Sequence, residues 1–532
     1  MGLLQSHPAC SLTQHRRIGM NRAQSNKRIV KNTGMLYIRM LVSMGVSLYT
    51  SRIVLSVLGT DNYGIYGVVG GIVIFFSFLN GAMASATQRF LNFELGRNDL
   101  KQVKQVFSMS MTVYILIALI ALVLSETIGL WYLNTQMVIP PGRLEAANWA
   151  YQFSVLTFCI QVIRVPYEAT IIAYERMSFY AYISIADVVF KLLVVCLLVF
   201  GDFDKLIYYA ALNTGVVLLV SYLYKRYCNR TFTTARYAPF WDKKLYTRLM
   251  SFSGWSLLGS IANITTQQGG NLLLNLFYGV TVNASMGLAN QVNRAVYGFV
   301  SSFQTAFNPA IVKAYAAGDK AYFFDLIFKA SKYSYFLLFT LSLPVLLCCH
   351  FVMSVWLGQV PDYLVPFSRL MLLLMLMESA AAPLWISIQA TGEIRNYQIL
   401  MGSLLLLNLP LAYIALKMGF SPVSVLAVRV GVYAVVFMVR IFYLGRKIAL
   451  PVRAYFAQVM MRLFAVTALS VPLPWLAHHY WSGWSGLLLT ILSTLLGVGF
   501  SVYYFGLRSG ERQVILYSIR RRLPFRSDNH VS

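Results

Sequence analysis

The stretch "PYEATIIAYERMSFY", residues 166–180, and the stretch "PLWISIQATGEIRNY", residues 383–397, both open on proline, carry alanine at the eighth place and end on tyrosine. The pairs Pro166/Pro383, Ala173/Ala390 and Tyr180/Tyr397 share an offset of 217, Gly59/Gly279 and Gly67/Gly287 one of 220, and Gly96/Gly318 one of 222. Nearly constant offsets in three places predict a duplicated unit of six spans, with its two copies in the same orientation about an axis along the membrane normal.

The composition says what kind of spans these are. Of 532 residues, 58% are hydrophobic and 12% charged, and the mean hydropathy is +0.63. A soluble domain carries about 25% charged residues, so the chain reads as an all-α integral membrane protein. Uncharged runs at Gln105–Ser125, Leu206–Tyr224 and Asn396–Leu416 have the length of one span. Leu249–Asn293 and Leu463–Leu507 hold two each, with predicted turns at "FYGVTVNAS" and "HHYWSGW". The expected fold has about 14 transmembrane helices, as two parallel six-helix lobes plus two extra C-terminal helices. The expected boundaries are a tail over 1–34, an N-lobe over 35–226, a basic linker over 227–248, a C-lobe over 249–446, two further spans over 447–507 and a basic tail over 508–532.

The net charge of +26 could indicate nucleic acid, but the lysines and arginines fall mostly in short loops. Such loops face anionic lipid headgroups on the cytoplasmic side. The predicted inner loops include "GRNDLKQVK", "YERM", "KAYAAGDK", "TGEIR" and "GRKIALPVR", whereas the outer ones hold only Arg143, Lys205 and Lys417. Both termini are then expected in the cytoplasm, with the lipid bilayer as a partner and no nucleic acid. The first 32 residues lack a continuous apolar stretch, which excludes a cleavable signal peptide there and leaves Met20 as an alternative start. Six scattered cysteines and the pair His478/His479 show no metal-ligand spacing, so neither metal nor cofactor is expected.

A charge at mid-bilayer costs at least about 2.5 kcal/mol, so it normally faces a bundle interior or a watery cavity. Arg164, Asp187, Lys191, Arg294, Glu378 and Arg429 fall deep within spans. Arg52, Glu168 and Arg369 lie nearer an end, and Arg39 and Arg440 are close enough to one to snorkel. Arg164/Glu168 and Asp187/Lys191 stand four residues apart, so each pair can neutralise itself on one helix face. Six of the nine deep or intermediate charges are basic, and surplus guanidinium suits an anionic ligand. Arg52, Arg164, Lys191, Arg294 and Arg429 are therefore the candidate cationic cavity, with Glu168, Asp187 and Glu378 as candidate proton carriers. The polar run "NITTQQGGNLLLN" places Gln267, Gln268 and Asn271 on one span, with Asn290 on the next, where amides can line a wet cavity for sugar or bond helix to helix.

Lys31–Arg97 resembles the opening of the polysaccharide flippases of the multidrug/oligosaccharidyl-lipid/polysaccharide exporter superfamily. Its most specific part is LG-x-x-x-YG-x-Y, here Leu58, Gly59, Tyr63, Gly64 and Tyr66. The resemblance implies a two-lobed bundle that moves a polyprenyl-pyrophosphate-linked oligosaccharide across the bacterial inner membrane. It also implies cavity arginines for the pyrophosphate, Arg52 being the position most naturally compared, and a polysaccharide polymerase and other assembly proteins as further partners. Two other functions compete. A multidrug or cation antiporter of the same superfamily would be expected to line its cavity with carboxylates and aromatics. A membrane-embedded polyprenyl-dependent glycosyltransferase or polymerase has only "DFD", Asp202–Asp204, to support it, and no phosphate loop for ATP appears.

Overall fold

The computed structural model describes residues 77–135, 142–198 and 204–513, together with 31–43 and scattered positions between 45 and 65. Among these residues the regular structure is all helical, with no strand. Helix α1 covers 31–43, followed by α2 Ser77–Gly96, α3 Leu100–Thr135, α4 Leu144–Ala173, α5 Met177–Leu197 and α6 Lys205–Thr231. Then come α7 Lys243–Ala316, α8 Lys320–Leu347, α9 Cys349–Leu357, α10 Leu364–Thr391, α11 Arg395–Lys417, α12 Ser424–Lys447, α13 Val452–Tyr480 and α14 Gly483–Gly506. Ten of these, α3 to α6, α8 and α10 to α14, are long and apolar enough to cross a membrane. The protein is a multi-pass membrane protein; where the sequence led to an expectation of about 14 spans, the described residues hold ten such helices.

In helix α7 the predicted turn between two spans is made without leaving helical backbone. Helical backbone runs unbroken from Lys243 to Ala316, through the predicted "FYGVTVNAS" turn. Yet Gln267 Nε2 donates to Asn290 Oδ1 at 3.4 Å, whereas 23 residues of straight helix would separate them by about 34 Å. The chain therefore doubles back between these positions, and each leg exceeds the ~20 residues a span needs.

Contacts divide the chain into two units. One holds residues up to Asn263 with Ser301–Phe323 and Ile386–Gly402; the other holds Ile264–Val300, Phe324–Trp385 and Ser403 onward. In the first, α4 packs on α2, α3, α5 and α6, with Phe107 edge-on to Tyr167 at 5.4 Å. In the second, α13 packs on α14, and Val300, Leu338, Phe339, Leu343, Leu376 and Val498 form a buried cluster.

Repeated caps end the helices. Asn98 (φ 57°) and Gly318 (φ 73°) both adopt the left-handed conformation after α2 and α7. In both places the next residue's amide reaches back five carbonyls, Asp99 N to Glu94 O and Asp319 N to Ala314 O. Asp99 and Asp319 then cap the following helices through Gln102 N and Tyr322 N, each at 3.0 Å. The structural equivalence is thus Asn98 with Gly318, at the same offset of 220 as the earlier glycines, and the Gly96/Gly318 pairing is corrected by two residues. Glu175 (φ 58°) and Gly392 (φ 81°), 217 apart, repeat the left-handed cap after α4 and α10.

Candidate functional site

Within the first unit, α1, α4, α5 and α6 bring charges together. The Arg164 guanidinium lies 5.3 Å from the Tyr224 ring centre and that of Arg39 4.9 Å from the Tyr180 ring centre. Arg164, Arg39, Asp187 and Tyr224 lie within electrostatic reach of the Glu168 carboxylate. The expected self-pairing of Arg164 with Glu168 is not formed as an ion pair: Arg164 turns onto Tyr224, and its buried Nε has no hydrogen-bond partner. Arg39 likewise does not snorkel away but faces this cluster. Asp187 and Lys191 do pair, at 2.8 Å, on the half-exposed face of α5.

The second unit has a counterpart. Arg429, Arg440 and Tyr297 lie within electrostatic reach of the Glu378 carboxylate. Arg440, also expected to snorkel, turns inward and donates Nη1 to the Ala381 carbonyl at 3.1 Å. Each unit therefore sets one carboxylate among two guanidinium groups. The repeat does not relate them, since the 217 offset carries Glu168 to Trp385 and Glu378 back to Gln161.

The other expected site residues fall as follows. Arg52 lies outside the described residues, and Arg294 is placed only as a backbone position on the second leg of α7. Gln267 bonds to Asn290, and Asn271 Nδ2 donates to Gln268 Oε1 at 2.9 Å, so these amides pair with one another while Gln267 and Gln268 stay exposed. Of "DFD", only Asp204 is described; it caps α6 through Leu206 N and Ile207 N and pairs with Arg143 at 2.5 Å. Those roles are structural. His478 and His479 sit in the last turn of α13, and no group of three metal-binding side chains occurs among the described residues.

Sequence reasoning missed one constellation, also within the first unit, where α2, α4, α7 and α10 end together. Arg89 on α2 donates Nε to the Gln389 carbonyl at 3.0 Å and Nη2 to the Ala390 carbonyl at 2.9 Å, capping the C-terminus of α10. Lys313 on α7 binds Glu175, just beyond α4, at 2.6 Å. Gly96 lets the two legs meet: a Cβ there would come within 2.8 Å of the Lys313 carbonyl oxygen and the Ala316 Cβ. The signal available in sequence was the basic "YERM" and "TGEIR" loops, but nothing in it joins them to Arg89 or Lys313.

No protein-family model and no curated protein sequence matches the chain. Solved structures do. An outward-facing conformation of a multidrug resistance MATE family transporter of the MOP superfamily matches at TM-score 0.66 and 13% identity, over 80% of this chain and 96% of that one. A MOP superfamily transporter from Pyrococcus furiosus, described by the reverse polarity of its binding pocket and a different function, matches at 0.65 and 13%, over 80% and 96%. The MATE transporter ClbM in complex with Rb+ matches at 0.65 and 14%, over 77% and 94%. The chain has the fold of MATE transporters of the MOP superfamily.

Proposed function

We propose that this chain is a membrane transporter of the MOP superfamily working by alternating access. The observation that carries this reading is the MATE-like fold over four fifths of the chain. No side-chain group among the described residues supports an enzymatic alternative, because Asp204 is committed to a helix cap and an ion pair.

Two substrate classes follow from different observations. The neighbours described by what they move or bind are a multidrug resistance transporter and an Rb+ complex, so the comparisons favour a multidrug or cation antiporter. The interior charge favours an anion, since Arg39 and Arg164 outnumber Glu168, and Arg429 and Arg440 outnumber Glu378. That surplus supports a flippase for a polyprenyl-pyrophosphate-linked oligosaccharide in the bacterial inner membrane, with both termini cytoplasmic and the polymerase of the glycan as partner. The neighbour described by a reversed pocket polarity and a different function is a precedent for one fold serving unlike charges. Glu168, Asp187 and Glu378 are the proposed proton carriers, and Arg52 and Arg294 the proposed further pyrophosphate contacts.

Cells depleted of the protein decide between them. Lipid-linked oligosaccharide trapped in the inner leaflet, restored by wild type but not by Arg164→Gln or Arg429→Gln, would establish the flippase. Normal sidedness with increased sensitivity to organic cations would establish the antiporter. Transport indifferent to collapse of the proton gradient would remove the proton carriers.

A further inference from the structure

The first leg of α7 carries a strip of carboxamides where a helix surrounded by lipid would carry leucines. Between Arg248 and Arg294 the chain has no charged residue. Yet Gln267, Asn271 and Asn275 follow one another at four-residue spacing, so they share one face of the leg. Gln267 and Asn275 are exposed, and Asn271 is half-buried.

The other faces of the leg are accounted for. One packs on α11 and α12, where the Thr266 hydroxyl donates to the Leu405 carbonyl at 3.2 Å and a Cβ at Gly269 or Gly270 would meet Leu409 or Val425. Another is apolar and open, with Leu272 69% exposed. On the amide face the second leg answers in kind: Gln267 Nε2 donates to Asn290 Oδ1 at 3.4 Å, beside the bond from Asn271 Nδ2 to Gln268 Oε1 at 2.9 Å. A carboxamide offers two N–H donors and an oxygen with two lone pairs, and these bonds use one donor each of Gln267 and Asn271. Polar side chains within a span face the bundle interior or a water-filled cavity, because hydrocarbon offers them no partner. The exposed amide face therefore borders a wet cleft.

The strip leads to charge within the same unit. Asn290 and Tyr297 stand seven residues apart, hence on one face of the second leg and about 10 Å along it. Tyr297 is within electrostatic reach of Glu378, as are Arg429 and Arg440. We propose that the carboxamide strip recognises the uncharged, hydroxyl-rich part of the substrate, an oligosaccharide; the assignment deepens the flippase reading and rests on it. A carboxamide sets donor and acceptor side by side, as the adjacent hydroxyls of a sugar do, and its neutrality gives an organic cation no counter-charge.

The test places one new cysteine at a time in the full chain in lipid nanodiscs and follows its labelling by a water-soluble thiol reagent. Peptide mass spectrometry separates it from the six native cysteines. Gln267→Cys should label at least about tenfold faster than Leu272→Cys, because the reactive thiolate is disfavoured in apolar surroundings. Lipid-linked oligosaccharide should protect Gln267→Cys, and polyprenyl pyrophosphate without glycan should not. In transport, Gln267→Leu with Asn271→Leu should lose about tenfold at unchanged abundance, the scale of one or two hydrogen bonds. Equal labelling of Gln267→Cys and Leu272→Cys would overturn the wet cleft. Equal protection by the lipid without glycan, or protection by neither lipid, would overturn sugar recognition. Normal leaflet sidedness in depleted cells would instead remove the flippase reading and the glycan with it, while leaving the labelling contrast in place.

Discussion

Arg89 donates its Nε to the Gln389 carbonyl at 3.0 Å across 300 residues of sequence, and its Nη2 caps the next carbonyl, that of Ala390. A guanidinium fork fits two adjacent carbonyls, and the negative end of the α10 dipole strengthens both bonds. Gly392, in the left-handed conformation, makes room, since a Cβ there would lie 2.6 Å from Arg89 Nη2.

Arg89→Ala should therefore weaken the end of α10 by about 1.5–3 kcal/mol, the range of a hydrogen bond to a charged group. Deuterium exchange at residues 389–397 should quicken several-fold, with partial rescue by Arg89→Lys, which has no planar fork. Exchange unchanged in Arg89→Ala would show that the contact does not hold this end.

The Lys313–Glu175 pair and the Gly96 contact act on the same end. Gly96→Val would place carbon against the Lys313 backbone, which cannot yield as a flexible side chain can, so a loss of about 1–3 kcal/mol is expected. Lys313→Ala should lower the unfolding temperature, and Lys313→Glu combined with Glu175→Lys should restore most of it.

Lys332 is fully buried on α8 and bonds to Glu511, beyond α14, at 2.9 Å. Removing the carboxylate leaves a buried unpaired charge. Glu511→Ala should thus destabilise by about 3–5 kcal/mol, while Lys332→Met with Glu511→Leu should recover most of the loss. Thermal unfolding in detergent measures both, and a silent Glu511→Ala would contradict the pairing.

Burial pushes the Asp204 carboxyl upward, but its bonds to Arg143 and to the Ile207 and Leu206 amides outweigh this and hold it below the ordinary carboxylate range. A depressed folded pKa contributes stability that is fully present above the unfolded value of about 3.9 and is lost as pH falls through the folded one. Asp204→Ala should cost about 1 kcal/mol at neutral pH, as for other lost N-caps, and flatten the acid limb of the stability profile. An acid limb unchanged in the variant would assign it to other carboxylates.

Asp187 and Lys191 neutralise each other on a face where Lys191 is 38% exposed, whereas Arg164 turns inward to Tyr224. Asp187→Asn with Lys191→Gln should change stability by less than about 0.5 kcal/mol. Arg164→Gln should reduce transport without reducing abundance. Normal transport in Arg164→Gln would remove Arg164 from the candidate site.

Much of the architecture was legible because lipid imposes simple rules. Apolar runs of span length became helices, as Leu206–Tyr224 within α6 and Asn396–Leu416 within α11, since a chain in hydrocarbon must satisfy its own backbone. The 217-residue offset of Pro166 and Pro383 also carries the loop after α4 onto the loop after α10, where Glu175 and Gly392 adopt the same left-handed cap. The register near Gly318 was not legible, because a left-handed position accepts asparagine as well as glycine, and Asn98 rather than Gly96 fills the equivalent place.

The sequence by itself determined that this is a helical membrane protein with a surplus of basic charge among its apolar helices. Only the tertiary structure decided which charges meet. Spacing of four residues put Arg164 beside Glu168 on one helix, yet the side chain turned to Tyr224 on another, and Arg39 and Arg440 turned inward instead of snorkelling. Within one helix the neighbours of a side chain follow from its period; between helices they depend on which faces pack, and that is settled by the whole bundle.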